Sequence, residues 1–274
     1  MATKKIILIW DLDGAIGQIN ATYPYNFNFH QLPRELNNVR YALDKLDEYN
    51  IKTCFAVTGF SAEDGVFPYV FPDLINEIAR RGHEIASHSW RHEWIPVFEK
   101  KQILKSLDRS KWILEKAISN RYPVAGFVPP HNRPMTWLSR GALSLGDRGL
   151  FPLFKNGDMG SLLAILKKTG YRWVRVSYRP LWKRRSPKHE VGAGRIVVKK
   201  DIMILENHYT GFDKNIVDHI LNTQNPTYTI SAHPLMLDFP NKRESKDNFE
   251  SLLDRLLNSG QAIEFVRPMD ILRQ

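Results

Sequence analysis

The sequence predicts an α/β fold with parallel strands, and two observations carry that prediction. Strand-like and helix-like patterns alternate through all 274 residues, and alternation at this spacing implies parallel strands joined by right-handed crossovers. No internal repeat, low-complexity tract or Gly/Ser linker interrupts the succession, so residues 1–274 read as a single domain. A (β/α) barrel of about 250 residues fits this length. An open doubly wound sheet fits the pattern equally well.

The elements follow in order. Ile6-Ile7-Leu8-Ile9-Trp10 is a continuous apolar run, as expected of a parallel strand covered on both faces, and sets the first strand at 4–10. Further strands are predicted at 51–57, 83–87, 124–128, 172–176, 202–206, 227–232 and 262–266. Helices fill the gaps. One runs from Pro33, a proline placed in its first turn, to Tyr49. Another runs from Phe71 to Arg81 and stops at Gly82. The rest are predicted at 99–119, 158–169, 213–223 and 245–259.

Composition narrows the function classes. The formal net charge is +10, with much of the excess between Arg172 and Lys200, including Lys183-Arg184-Arg185 and Lys199-Lys200 beside Trp173, Tyr178 and Trp182. Basic residues interleaved with aromatics can bind single strands. A solvated crossover loop, or steering of an anionic substrate, explains the charge without leaving the histidines and aspartates idle, so no nucleic-acid partner is expected. Cys54 is the single cysteine, which excludes an internal disulfide and suits a small core residue. The first strand begins by Lys4 or Lys5, and no stretch approaches the roughly 18 apolar residues of a spanning helix. These features lead us to expect a cytoplasmic protein without a membrane span, and none of them sets an oligomeric state.

Chemistry concentrates in two motifs. His88 and His92 are four apart after a short apolar run. On one helical turn such residues share a face, with Cβ atoms roughly 5–6 Å apart, close enough for two imidazoles to meet one zinc-type cation. Asp11 and Asp13 end the first strand and, by alternation, point to the same side, at the strand ends where α/β folds bind ligands. The same Asp-x-Asp-Gly also opens haloacid-dehalogenase-like phosphatases, with Asp11 as nucleophile and Thr58 as a phosphate contact. Such an enzyme has no use for the histidine pair and wants a late acidic pair on magnesium, for which only Asp147 and Asp158 are available.

Four ordered signatures resemble the polysaccharide deacetylases, also called carbohydrate esterase family 4 or the NodB-homology domain. They are Asp11-Leu12-Asp13-Gly14, Gly82-His83-Glu84-Ile85 running into His88-Ser89-Trp90-Arg91-His92, Gly126-Phe127-Val128-Pro129-Pro130-His131, and Tyr228-Thr229-Ile230-Ser231-Ala232-His233. The resemblance implies a distorted or incomplete barrel of seven to eight parallel strands. It implies that Asp13, His88 and His92 hold a divalent metal, zinc foremost, that Asp11 is the general base, and that His233 protonates the departing amine. Pro129, Pro130, His131, Arg133, Tyr178 and His208 become substrate-groove candidates, with His208 also a candidate support for His233. His83 is expected to pack, and His30, His189 and His219 to lie at the surface.

The chain departs from the family pattern at two places. Most members carry adjacent aspartates; the spaced pair resembles a subgroup containing some peptidoglycan deacetylases and cyclic-imide or ureide hydrolases. The Pro-rich signature normally opens with an arginine that orients the catalytic aspartate, and Val128 stands there; Arg133 and Arg91 are the candidate replacements. The implied activity is metal-dependent deacetylation of an N-acetylated sugar or a related small amide, and the positive charge favours an anionic one. A cyclic-imide or ureide hydrolase, a catalytically inactive carbohydrate-binding relative and the phosphatase are the alternatives.

Overall fold

A computed structural model describes residues 3–21, 30–63, 70–93, 95, 98–130, 159–176, 196–206, 209–240 and 242–273. The alternation read from the sequence is present in it. Strand β1 (Lys4–Leu12) leads through helices α1 (Gly14–Ala21) and α2 (Gln31–Glu48) to β2 (Cys54–Val57), and α3 (Gly59–Glu63) and α4 (Val70–Arg80) lead to β3 (Glu84–Ser87). Then come α5 (Lys100–Ala117), β4 (Gly126–Phe127), α6 (Met159–Lys168), β5 (Trp173–Val176), β6 (Val197–Lys199), β7 (Ile202–Glu206) and β8 (Tyr209–Thr210). The chain closes with α7 (Lys214–Asn222), β9 (Thr227–Ala232), a 3₁₀ turn (Pro234–Asp238), α8 (Lys246–Leu257), β10 (Ile263–Phe265) and α9 (Pro268–Leu272).

Helix starts follow ordinary capping chemistry. The Asp213 side chain accepts from the Asn215 and Ile216 amides ahead of α7, and Ser245 does the same for Asn248 ahead of α8. Three local differences from the predicted elements have plain causes. Strand β2 begins at Cys54 rather than 51 because the Ile51 amide still closes onto the Leu46 carbonyl and finishes α2. Helix α1 escapes the helical pattern because Gly14 and Gly17 lie within it, and glycine is a poor helix former. Strand β6 is short and exposed, so it lacks the apolar signal of a buried strand.

The strands form one sheet in the order β6-β7-β5-β4-β3-β2-β1-β9-β8, with β10 also against β1. Every pairing in it is parallel except the β6–β7 hairpin. Strands β7 and β8 lie near opposite ends of this order, yet only residues 207 and 208 separate them. Consecutive Cα atoms are about 3.8 Å apart, so the two ends of the sheet must come within roughly 11 Å. The sheet is therefore curled into a distorted barrel.

Alternation along β1 sorts the core into two. Ile6, Leu8, Trp10 and Leu12 face the helices in the larger cluster, where Trp10 stacks on Phe55 and meets Phe249 edge-on. Ile7 and Ile9 face inward with Cys54, Ala56, Ala86, Val128, Trp173, Met203 and Leu205. Small residues make room for the Trp173 indole; a Cβ on Gly126 would lie 2.0 Å from its ring. Below it, Glu84 accepts from Trp173 Nε1 and from the Met269 amide, each at 2.8 Å. Burial pushes the Glu84 carboxyl up to about 7 against the pull of those bonds. The inward series of β1 continues past Ile9 to Asp11, which puts carboxylates at the upper mouth.

Candidate metal centre and hydrolytic site

Asp13, His88 and His92 converge, with ligand atoms all within 4.8 Å of one another. Asp13 Oδ1 is 3.3 Å from His88 Nε2 and 3.4 Å from His92 Nε2. Two ligand atoms about 2.1 Å from a tetrahedral ion stand roughly 3.4 Å apart. Asp13 Oδ1 is buried and accepts no hydrogen bond from the described residues, a costly state for a carboxylate oxygen unless a cation answers it. The donor set therefore fits a divalent metal of the zinc type.

The histidine pair does not lie on a helix, as its spacing suggested. Residues 88–92 form a turn in which Ser89 and His92 are left-handed, at φ 64° and 60°. Such a backbone costs on the order of 1–3 kcal/mol per residue and persists only where its surroundings fix it. Here the Ser89 carbonyl accepts from the Gly59 amide and the Ser110 hydroxyl, and the Ser89 hydroxyl accepts from the Glu93 amide. The Phe60 amide donates to the Trp90 carbonyl. Gly59 is required, because a Cβ there would lie 2.8 Å from the Ser110 backbone and the Trp90 ring. His88 Nδ1 contacts the Val128 carbonyl at 2.7 Å, which aims Nε2 at Asp13 as a ring-orienting partner does in metal sites.

Thr58 belongs to the same scaffold. Its hydroxyl donates to the Asp13 carbonyl at 3.0 Å and pairs with Ser61 at 2.7 Å, so it holds the Asp13–Gly14 turn in place. The phosphatase reading assigned it a phosphate contact instead. Gly14 adopts φ +63°, and a Cβ there would lie 2.2 Å from Ser61 Oγ. Behind this turn, Glu35 of α2 accepts from Gln18 Nε2 at 2.8 Å, while its buried Oε1 has no hydrogen-bond partner among the described residues. Burial, and then Asp13, pushes the Glu35 carboxyl up to about 8 despite the Gln18 bond.

On the other side of the mouth stands a row of alternating charge. The Arg175 guanidinium from β5 grips Asp11 with both arms, at 2.8 and 2.5 Å, and both groups are buried. Burial alone would raise the Asp11 carboxyl; Arg175 first, with His88 and His233, holds it below its usual range. His233 Nε2 lies 3.9 Å from Asp11 Oδ2, and its Nδ1 is 2.9 Å from Glu244 Oε2, which also accepts from the His233 amide. Burial opposes the charged imidazole, but the charge and hydrogen bond of Glu244, aided by Asp13 and Asp11, lift it to about 10. His233 keeps about a third of its side chain open, so a proton held there can reach a substrate.

Of the residues singled out in the sequence, Asp11, Asp13, His88, His92 and His233 meet at one mouth. Pro129 and Pro130 are buried just beyond the Val128 carbonyl. His131, Arg133, Tyr178, His189 and His208, with Asp147, Asp158 and Trp182, lie outside the described residues. Trp173 fills the barrel floor. His83 packs as expected: it is buried against Phe55, its Nδ1 accepts from the Thr53 amide, and burial pushes it down to about 3. His30 is exposed. Arg91 lies over the Phe60 ring and does not take the place of the family arginine; the partner of Asp11 is Arg175. An arginine inside a predicted buried strand was the available signal for that role. Glu244, in a loop, carried none.

Residues 26–145 match the family model for polysaccharide deacetylase. A peptidoglycan-N-acetylglucosamine deacetylase of Bacillus cereus is 28% identical over 92 residues, covering 34% of this chain and 29% of the relative. The aligned stretches span under two fifths of the curated relatives' own length. A solved chain from Mycobacterium smegmatis, assigned to the polysaccharide deacetylases, superposes with a TM-score of 0.65 at 15% identity over 99% of this chain and 89% of that one. A carbohydrate esterase family 4 pseudoenzyme from Bacillus anthracis superposes at 0.52 with 12% identity, over 98% of this chain and 66% of that one. Residues 26–145, a little under half of the chain, are thus similar in sequence to the polysaccharide deacetylases, and the likeness over the whole chain is one of fold. The family match begins after Asp13 and ends before Arg175 and His233.

Proposed function

We propose that this chain is a single-domain, metal-dependent N-deacetylase that hydrolyses the acetamido group of an N-acetylated sugar or glycan. The observation that carries the reading is the convergence of Asp13, His88 and His92 around a buried carboxylate oxygen that accepts no hydrogen bond from the described residues, beside Asp11 and His233, which face each other at 3.9 Å. The name of the Bacillus cereus relative supports the substrate class. The excess of positive charge suits an anionic substrate.

A cation of the zinc type bound by the three ligands would polarise the amide carbonyl and lower the pKa of a water. The protein supplies the proton traffic. Asp11, kept ionised by Arg175, accepts the proton of the attacking water as its oxygen forms a bond to the amide carbon. His233, kept protonated by Glu244, donates from Nε2 to the amide nitrogen as the C–N bond breaks. Acetate and the free amine leave. Without that donation an amine is a poor leaving group, so the reaction needs an acid as well as a base. A cyclic imide or ureide would use the same groups.

The test is metal analysis of the purified protein together with acetate release from a panel of N-acetylated sugars. One equivalent of divalent metal and zinc-dependent acetate release are expected. Metal-loaded protein that releases nothing from any sugar, but opens a cyclic imide, would move the reading to that alternative. Sugar binding without turnover would make it an inactive relative.

A further inference from the structure

Resting on the deacetylase reading, we propose that Arg175 is the positioning residue of the base, and that the arginine site of this barrel has moved from one strand to the next. The evidence is a matter of register. Gly126 pairs with Trp173 and Phe127 with Val174 between β4 and β5, so Val128 stands beside Arg175. Val128 and Trp173 both face the barrel interior, and alternation gives Arg175 the inward direction of Trp173. The chain therefore carries Val where the Pro-rich signature opens and Arg at the adjoining inward position.

The geometry is that of a device for holding a base. Arg175 is fully buried and its two-armed contact fixes the plane of the Asp11 carboxylate as well as its charge. Asp11 Oδ2, the oxygen 2.5 Å from Arg175, is also the one facing His233. Oδ1 is held by the other arm at 2.8 Å. Rotation of this carboxylate would therefore misplace the proton acceptor relative to both the metal ligands and the acid. The Val128 side chain is separable from this task, because only its backbone carbonyl orients His88. Strand β4 also stands one place nearer to β1 in the sheet than β5 does, so an arginine side chain at 128 has no longer span to cover.

Exchange of the two residues tests this. Arg175→Met should lower turnover on the best acetamido sugar by about 10²-fold, the scale of a misplaced catalytic group, with KM within about threefold and metal content unchanged. Arg175→Lys keeps the charge but not the fork, and should fall between Met and wild type. The exchanged protein, Val128→Arg with Arg175→Val, should recover at least about tenfold over Arg175→Met. A second readout needs no turnover. In thermal unfolding of the metal-free protein, Arg175→Met should lower the Tm strongly by stranding a buried carboxylate, and adding Asp11→Asn should restore most of that loss.

Arg175→Met or Arg175→Lys with wild-type turnover, or an exchanged protein no better than Arg175→Met, would overturn the proposal. Independent, additive Tm losses for Arg175→Met and Asp11→Asn would overturn it as well. If wild type releases acetate from none of the sugars, the deacetylase reading fails, while the unfolding cycle still decides whether Arg175 holds Asp11.

Discussion

The two halves of the mouth are built on opposite principles. The half holding Asp13, His88 and His92 is fixed by backbone: a left-handed turn, two obligatory glycines and hydroxyl-to-carbonyl bonds from Thr58, itself paired with Ser61, and from Ser110. The half holding Asp11, Arg175, His233 and Glu244 is fixed by charge, side chain to side chain. A metal demands ligand atoms placed to within tenths of an ångström, which rigid local turns provide. Proton transfer demands tuned affinities, which alternating charges provide. Substitutions in the two halves should therefore fail in different ways.

The largest effect belongs to the metal half. His88→Ala or His92→Ala should abolish metal binding and turnover while the fold survives, because these side chains sit on a turn above the core. Retention of one equivalent of metal by the double variant, measured by elemental analysis, would refute the ligand assignment. In the charge half, Asp11→Asn should keep the metal and lose turnover by roughly 10²–10⁴-fold. Unchanged turnover there would remove Asp11 from its role as base.

The difference between the halves also decides what could be read from sequence. Asp11, Asp13, His88 and His92 fall within two short stretches, so spacing and strand-end position gave them away, although a helix was the wrong scaffold for the histidines. Arg175 and Asp11 are 164 residues apart, and nothing in composition joins them; only the barrel's curl brings β5 across from β1. Glu244 reaches His233 from a loop with no periodicity to mark it. Eight strands were legible as apolar runs, whereas β6 and β8 follow from pairing alone. Barrel closure came from resemblance, and its physical basis is the two-residue link between β7 and β8.

His233 gives a sharper contrast within the charge half. The proposed role, acid for an amine leaving group, makes it matter greatly for an acetamido sugar, so His233→Ala should lose most turnover there with metal retained. An activated aryl acetate needs little protonation of its leaving group, and the same variant should be only mildly impaired on it. Equal losses on both substrates, or loss of metal, would count against the role. Glu244→Gln should be gentler still. It removes the group that lifts His233 to about 10, and an acid is active only below its pKa, so the alkaline limb of kcat/KM should move down by about one pH unit or more. An unmoved limb would detach Glu244 from the acid.

The smallest effect on turnover should come from Glu35, the buried carboxyl beneath the metal half. With its carboxyl pushed up to about 8, Glu35 is mostly neutral at pH 7, and glutamine copies its shape and can still accept from Gln18. Glu35→Gln should leave turnover at pH 7 within about twofold. Its signature lies in stability. A carboxyl whose pKa is raised by folding binds its proton more tightly folded than unfolded, so stability is complete below the unfolded value near 4.5 and falls as pH rises toward about 8. Glutamine has no proton to lose. The Tm of metal-free Glu35→Gln relative to wild type should therefore climb between pH 4.5 and 8 and level off above. A Tm difference flat across that window would mean that Glu35 is ionised in the folded protein, and that this half too relies on charge.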